Sequence, residues 1–167
     1  MLAMTPRRRS RAFGGFTLIE LMVTLAVAAV LMTIAAPSFL AFQRNSELTS
    51  AANGLVAGLS AARGEAMKTG MQAMVVPADG SSWSSGWVVF VDKNRDQVRT
   101  ESTDPVIFQQ AALPSHLSVS ATGSADESAP YILFDGSGYP KTKTSGMSPL
   151  SFSIERKDVA TSTRWDQ

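Results

Sequence analysis

Apolar and polar positions change rhythm three times along the chain. Residues 16–36, FTLIELMVTLAVAAVLMTIAA, are interrupted only by Thr17, Glu20, Thr24 and Thr33. At about 1.5 Å per residue, some 20 apolar residues carry one helix across the ~30 Å hydrocarbon core of a bilayer. After Pro37 the pattern loosens. Leu48, Ala52, Leu55, Leu59, Ala62 and Ala66 recur at alternating spacings of four and three, with Glu47, Ser50, Asn53, Arg63 and Glu65 off the stripe. That period predicts a core-facing amphipathic helix over residues 37–69. Lys68-Thr69-Gly70 supplies a cationic last turn and a residue suited to the left-handed conformation, so the helix should stop there. Gly54, Gly58 and Gly64 lower its propensity but permit close packing against a sheet.

Beyond Gly70 the rhythm shortens to strands between turn-rich loops. Residues 72–76, 86–92, 106–110, 117–121, 131–134 and 150–154 are the predicted strands. The loops ADGSSWSSG, ATGSADESAP and DGSGYPKTKTSGMSP separate several of them. The expected fold is α+β: a long N-terminal membrane-spanning helix whose C-terminal half packs on one antiparallel β-sheet. If the helix is continuous from Phe16 to Thr69 it is about 80 Å long, a length suited to a filament spine.

Charge adds an orientation. Arg7, Arg8, Arg9 and Arg11 precede Gly15, and all 14 acidic residues follow it. Removing those four from the 15 basic residues leaves 11, a net charge of −3 for the remainder. The arginines should hold the N-terminus in the cytoplasm and send the rest across the membrane. The mildly acidic body argues against nonspecific nucleic-acid binding as the main activity. With no cysteine, disulfides, thiolate nucleophiles and cysteine-bound metals are excluded. A secretory signal has a similar basic start, and Ala35-Ala36-Pro37-Ser38 has small residues at the right place. Its apolar core is normally shorter, however, and Pro37 follows the would-be cleavage site directly.

Glu20 is the unusual residue, because a carboxylate in a membrane helix costs on the order of 3 kcal/mol on insertion scales. It could sit shallow and reach headgroup water. Its setting, GGFTLIE, closely resembles the processing motif of type IV prepilins and type II secretion pseudopilins. The resemblance implies cleavage by a prepilin peptidase after Gly15, leaving residues 1–15 as a leader. It also implies N-methylation of Phe16 and retention of residues 16–36 as transmembrane and filament-core helix. It further implies that Glu20 of an incoming subunit pairs with the terminal amine of its neighbour. An ion pair in low dielectric is worthwhile only when both charges are present. Pro37 falls where pilins often carry a proline, and it should kink or loosen the helix unless it simply ends it.

GWVVFVDKNRDQVR and ILFDGSGYP, within residues 70–167, look like the GspH/FimT group of minor pseudopilins and minor pilins. The chain lacks the cysteine pair of some members, and no final strand with a glycine-arginine ending is evident after SFSIERKDVATSTRWDQ. What this implies is a non-enzymatic inner-membrane subunit with a periplasmic globular domain. Its partners would be other major and minor pilins or pseudopilins, the prepilin peptidase and the assembly platform. The destination would be a type II secretion pseudopilus or a type IV pilus.

Several clusters invite chemistry. Asp92, Asn94 and Asp96 have the alternate spacing of the first ligands of a calcium loop, but Gln97 replaces the turn glycine and Thr103 stands at the twelfth position. Asp104 could substitute if the loop bends differently; the alternative is a solvated hairpin loop with no cofactor. His116 is the only histidine, so histidine-cluster metal sites are excluded and a hydrolase triad has no support. It is expected in a loop or at a strand edge. Gly136-Ser137-Gly138 lacks the continuation of a phosphate loop. Trp87 belongs in a strand core, whereas Trp83 and Trp165 are expected to be exposed or partly buried. Arg156, Lys157 and Arg164, with Lys141, Lys143 and Trp165, could form a basic and aromatic patch. A DNA-binding minor pilin for natural transformation is the alternative function such a patch would serve.

Overall fold

The computed structural model describes residues 15–144, 146–147 and 149–159. Helix α1 runs over Leu18–Thr69, followed by strands β1 (Gln72–Pro77), β2 (Trp87–Asp92), β3 (Val106–Gln110), β4 (Leu117–Ala121), β5 (Ile132–Phe134), β6 (Pro140–Lys141) and β7 (Phe152–Arg156). Short 3-10 turns lie at Trp83–Ser85 and Gly123–Asp126. The chain divides into two compact units, one ending at Phe42 and one beginning at Gln43.

In the first unit the helix begins at a threonine cap. Thr17 Oγ1 accepts the Glu20 N–H at 3.3 Å, and Thr17 O accepts the Leu21 N–H at 3.2 Å. The polar residues farther along are satisfied internally: the Thr24 hydroxyl donates to Leu21 O and the Thr33 hydroxyl to Val30 O. Such back-bonding is what an apolar surrounding demands of a hydroxyl. Pro37 lies inside the helix and does not end it. Lacking an N–H, it cannot supply the regular donor to the carbonyl four residues earlier.

The second unit is built on the helix face of Ala51, Leu55, Gly58, Ala62 and Ala66, all buried. Leu59 packs beside them, half-buried. Gly70 ends the helix at φ 67°, as the sequence predicts, with its N–H on Ala66 O. Five antiparallel strands follow in the order β3-β2-β1-β5-β6. Every residue of β2 is buried. Alternate residues face opposite sides of a sheet. Ala73, Val75, Trp87, Val89, Ile132 and Phe134 accordingly join the helix residues in the main core, while Met74, Phe90, Tyr131 and Leu133 form a second cluster.

Two departures from the sequence reading have local causes. β4 and β7 form a separate two-stranded sheet, registered from Leu117↔Arg156 to Ala121↔Phe152, instead of joining a single sheet. The chain turns between β3 and β4 at Pro114, whose carbonyl accepts the Leu117 N–H at 2.9 Å. β6 was hidden in a segment with loop composition. Asp135 Oδ1 accepts the N–H groups of Ser137 and Tyr139, and Gly138 adopts φ 76°, closing a tight hairpin. Two residues led by a proline carry no period-2 signal.

The helix glycines separate by role. A Cβ on Gly58 would stand 3.0 Å from Trp87 Nε1, and one on Gly54 would stand 2.7 Å from Gln110 Oε1, while one on Gly64 would meet nothing. Gly54 and Gly58 therefore admit the sheet to the helix surface. Trp83, which the serine-rich loop led us to expect exposed or partly buried, is buried. Its indole N–H donates to Ala125 O at 2.8 Å and its ring meets Phe152 edge-on at 5.1 Å.

Candidate functional site

The assembly segment is exposed throughout. Every residue from Gly15 to Phe42 is exposed, including Phe16, Leu18, Ile19, Leu25, Leu31 and Phe39. A run of hydrophobes with no internal packing needs lipid or other helices to cover it. Glu20 sits in the first helical turn, where a carboxylate is favoured by the partial positive charge of the helix N-terminus. Thr17-x-x-Glu20 has the spacing of a capping box, and the Thr17 half of it is formed. That signal was legible in the sequence, and the bond formed engages the Glu20 backbone N–H, not its carboxylate. A Cβ on Gly15 would meet nothing among the described residues.

The loop between β2 and β3 gathers acids. Asp92 and Asp104 are 0% and 2% exposed, and Asp96 is exposed. One carboxylate oxygen from each lies within 4.8 Å of the other two. Backbone donors hold all three: Gln97 N–H on Asp92 Oδ2 at 2.9 Å, Val98 N–H on Asp96 Oδ1 at 2.8 Å, and Lys93 and Thr100 N–H on Asp104 Oδ1 and Oδ2 at 3.1 and 2.8 Å. Asp92 Oδ1 is buried without a hydrogen-bond partner. Asp92 and Asp96 are thus brought together as their spacing suggested, and Asp104 joins them. The Asn94 amide instead donates to Asp96 Oδ2 at 2.6 Å. Arg95 and Gln97 both adopt φ 60°.

The basic residues are dispersed. Arg156 donates from Nε to Asp158 Oδ1 at 3.0 Å and from NH1 to Asn45 Oδ1 at 2.7 Å, while Arg44 donates to Asp158 Oδ2 at 2.6 Å. This clamp joins β7 to the helix. Lys157 Nζ donates to Ser115 O at 3.1 Å. Lys143 lies 4.7 Å from the Tyr131 ring centre, and Lys141 is 3.9 Å from Asp135. Arg164 and Trp165 lie outside the described residues. His116 immediately precedes β4, its Nε2 3.0 Å from Glu47 Oε2 but off the line of a hydrogen bond.

Two carboxylates outside the acidic loop have depressed pKa values. Asp158 is held below the usual carboxylate range chiefly by its hydrogen bonds from Arg156, with Arg44 adding to it. Asp79 is lowered to about 2, chiefly by the N–H groups of Ser82 and Ser81. A depressed folded pKa adds stability that is complete above the unfolded value, about 3.9, and is lost as pH falls through the folded value. Thermal midpoints of the full-length protein in detergent should therefore be insensitive to these groups from about pH 7 to 5 and fall below about pH 4. Asp158→Asn should lower the midpoint at neutral pH and flatten the acid limb. An unchanged acid limb in that variant would remove Asp158 as a contributor.

A continuous apolar helix with a processing-type start, joined to an antiparallel sheet domain, defines a type IV pilin-like protein. A family model described as "Prokaryotic N-terminal methylation motif" matches residues 10–36, and one described as "Type II transport protein GspH" matches residues 51–165. The chain belongs to the GspH family of minor pseudopilins. No curated protein and no solved structure gives a significant match. Membership makes it a membrane-anchored pilin-like subunit, processed by a prepilin peptidase and assembling with other pilins.

Proposed function

We propose that the chain is a non-enzymatic minor subunit of a type II secretion pseudopilus, placed at or near its tip. It is cut after Gly15 and methylated on the Phe16 amine. Residues 16–36 then leave the inner membrane for the filament core, and the sheet domain faces the periplasm. The observation that carries this reading is the unbroken exposure of apolar residues from Gly15 to Phe42, which only lipid followed by neighbouring helices can cover. Glu20 and the Phe16 amine set the register as subunits stack, and Pro37 loosens the helix at the membrane exit. The second unit offers neighbours an apolar recess of about 1080 Å³ lined by Leu48, Leu55, Leu59, Phe134, Phe152 and Ile154. The GspH family match favours secretion over a type IV pilus. Duplex DNA binding draws less support, because Arg156 is engaged by Asp158 and Asn45.

The test is the extracellular to periplasmic ratio of exported enzymes in a strain lacking the gene. Retention in the periplasm is expected, with recovery on complementation. An unchanged ratio with loss of surface pili would assign the subunit to a type IV pilus, and loss of DNA uptake alone would revive the nucleic-acid reading.

A further inference from the structure

We propose that the β2–β3 loop is a calcium site built by Asp92, Asp96 and Asp104. Three carboxylates lie close together, two of them buried, and like charges at that spacing repel one another. Among the described residues, no ion pair reaches any of the three. The neighbouring Arg99 is turned to Glu101 instead. A divalent cation reverses the sign of the interaction.

The independent sign is Asp92 Oδ1. A buried carboxylate oxygen without a partner is costly and is rare in folded proteins. Here it belongs to one of the three converging groups, and the other oxygen of the same carboxylate is already committed to Gln97 N–H. Backbone N–H groups fix all three carboxylates, yet each ionised carboxylate has about four lone-pair sites and can still ligate. The site is therefore preorganised.

The loop also turns where a calcium loop must. Counting Asp92 as the first position, the sixth is Gln97, where such loops use glycine for a sharp turn. Gln97 takes φ 60° without being glycine. Asp104, one place past the usual twelfth-position glutamate, closes the site from two residues before β3.

Donor type and span select the ion. An all-carboxylate set suits a hard cation and excludes the thiolate and imidazole chemistry that favours zinc or copper. Calcium binds oxygen at about 2.3–2.6 Å, so oxygens sharing one ion stand up to about 4.6–5.2 Å apart, and carboxylate oxygens that lie within 4.8 Å of one another can share it. Magnesium, at about 2.0–2.1 Å, demands near-ideal octahedral geometry and gives up its water reluctantly, so three carboxylates already fixed by backbone N–H groups suit the more tolerant calcium.

The experiment is calorimetric titration of full-length protein in detergent, stripped with EGTA and titrated with calcium chloride or magnesium chloride at fixed ionic strength. One calcium per chain is expected, with Kd of about 10⁻⁴ M, and magnesium should bind at least about tenfold more weakly. Asp96→Asn is the informative variant, because Asp96 is exposed and asparagine still accepts the Val98 N–H; it should weaken calcium binding about tenfold or more. Glu101→Gln, in the same loop but outside the cluster, should bind like the parent. No saturable heat in the parent would overturn the site. So would equal losses in the two variants, which would mark diffuse attraction to an acidic surface, and equal magnesium affinity would overturn the assignment to calcium.

Discussion

Glu20→Gln is expected to yield a protein that is cut after Gly15, stays in the membrane and does not enter filaments. Glutamine matches glutamate in size and helix propensity, and the side chain it replaces is exposed, as is the whole segment from Gly15 to Phe42. Fold and insertion should therefore survive. What is lost is the charge proposed to meet the Phe16 amine of the adjacent subunit. Leaving one member of a buried pair uncompensated costs about 3–5 kcal/mol. At about 1.4 kcal/mol per decade that is a loss of about a hundredfold or more in incorporation. Sheared filaments compared with membrane fractions by immunoblot give the ratio directly. Parental incorporation would show that the pair is dispensable.

Gly15→Val should stop the pathway one step earlier, leaving the full-length precursor in the membrane. Among the described residues, a Cβ at Gly15 meets nothing within 4 Å. A valine there disturbs no packing among those residues, so a failure to cut reports on the peptidase site that must accommodate it. Intact mass of the protein from a strain with active prepilin peptidase distinguishes the two products. Recovery of a chain beginning at Phe16 in parental yield would contradict the assigned cleavage position.

The helix and most strands were legible because their signals are periodic. The stop at Gly70, the core face through Leu55, Ala62 and Ala66, and strands β1 to β5 were placed to within about two residues of where they lie, an ordinary margin for element ends. β6 could not be read, being two residues formed by the Asp135 turn. The second sheet could not be read either, because strand periodicity says which face is buried and nothing about which strand is the neighbour. Trp83 was misjudged from its serine-rich surroundings, whereas its burial depends on Phe152 and Ala125, remote in sequence. Within the acidic loop, spacing found Asp92 and Asp96. Asp104 entered through the loop's actual bend at Arg95 and Gln97, which residue counting does not supply.

The clamp of Arg44 and Asn45 on Arg156 and Asp158 sets an order of events during synthesis. Its bonds close loops of 114 and 111 residues. At about 5–20 residues per second, that much chain takes about 5–20 s to emerge from the ribosome. For most of that interval, once Thr69 has been added, the helix is complete while its final strand does not yet exist. The apolar segment therefore reaches the bilayer well before the sheet domain can close. A nascent chain halted before Phe152 can already lay β1, β2 and β5 on the helix, but it lacks both the Asp158 clamp and the Phe152 ring that packs on Trp83.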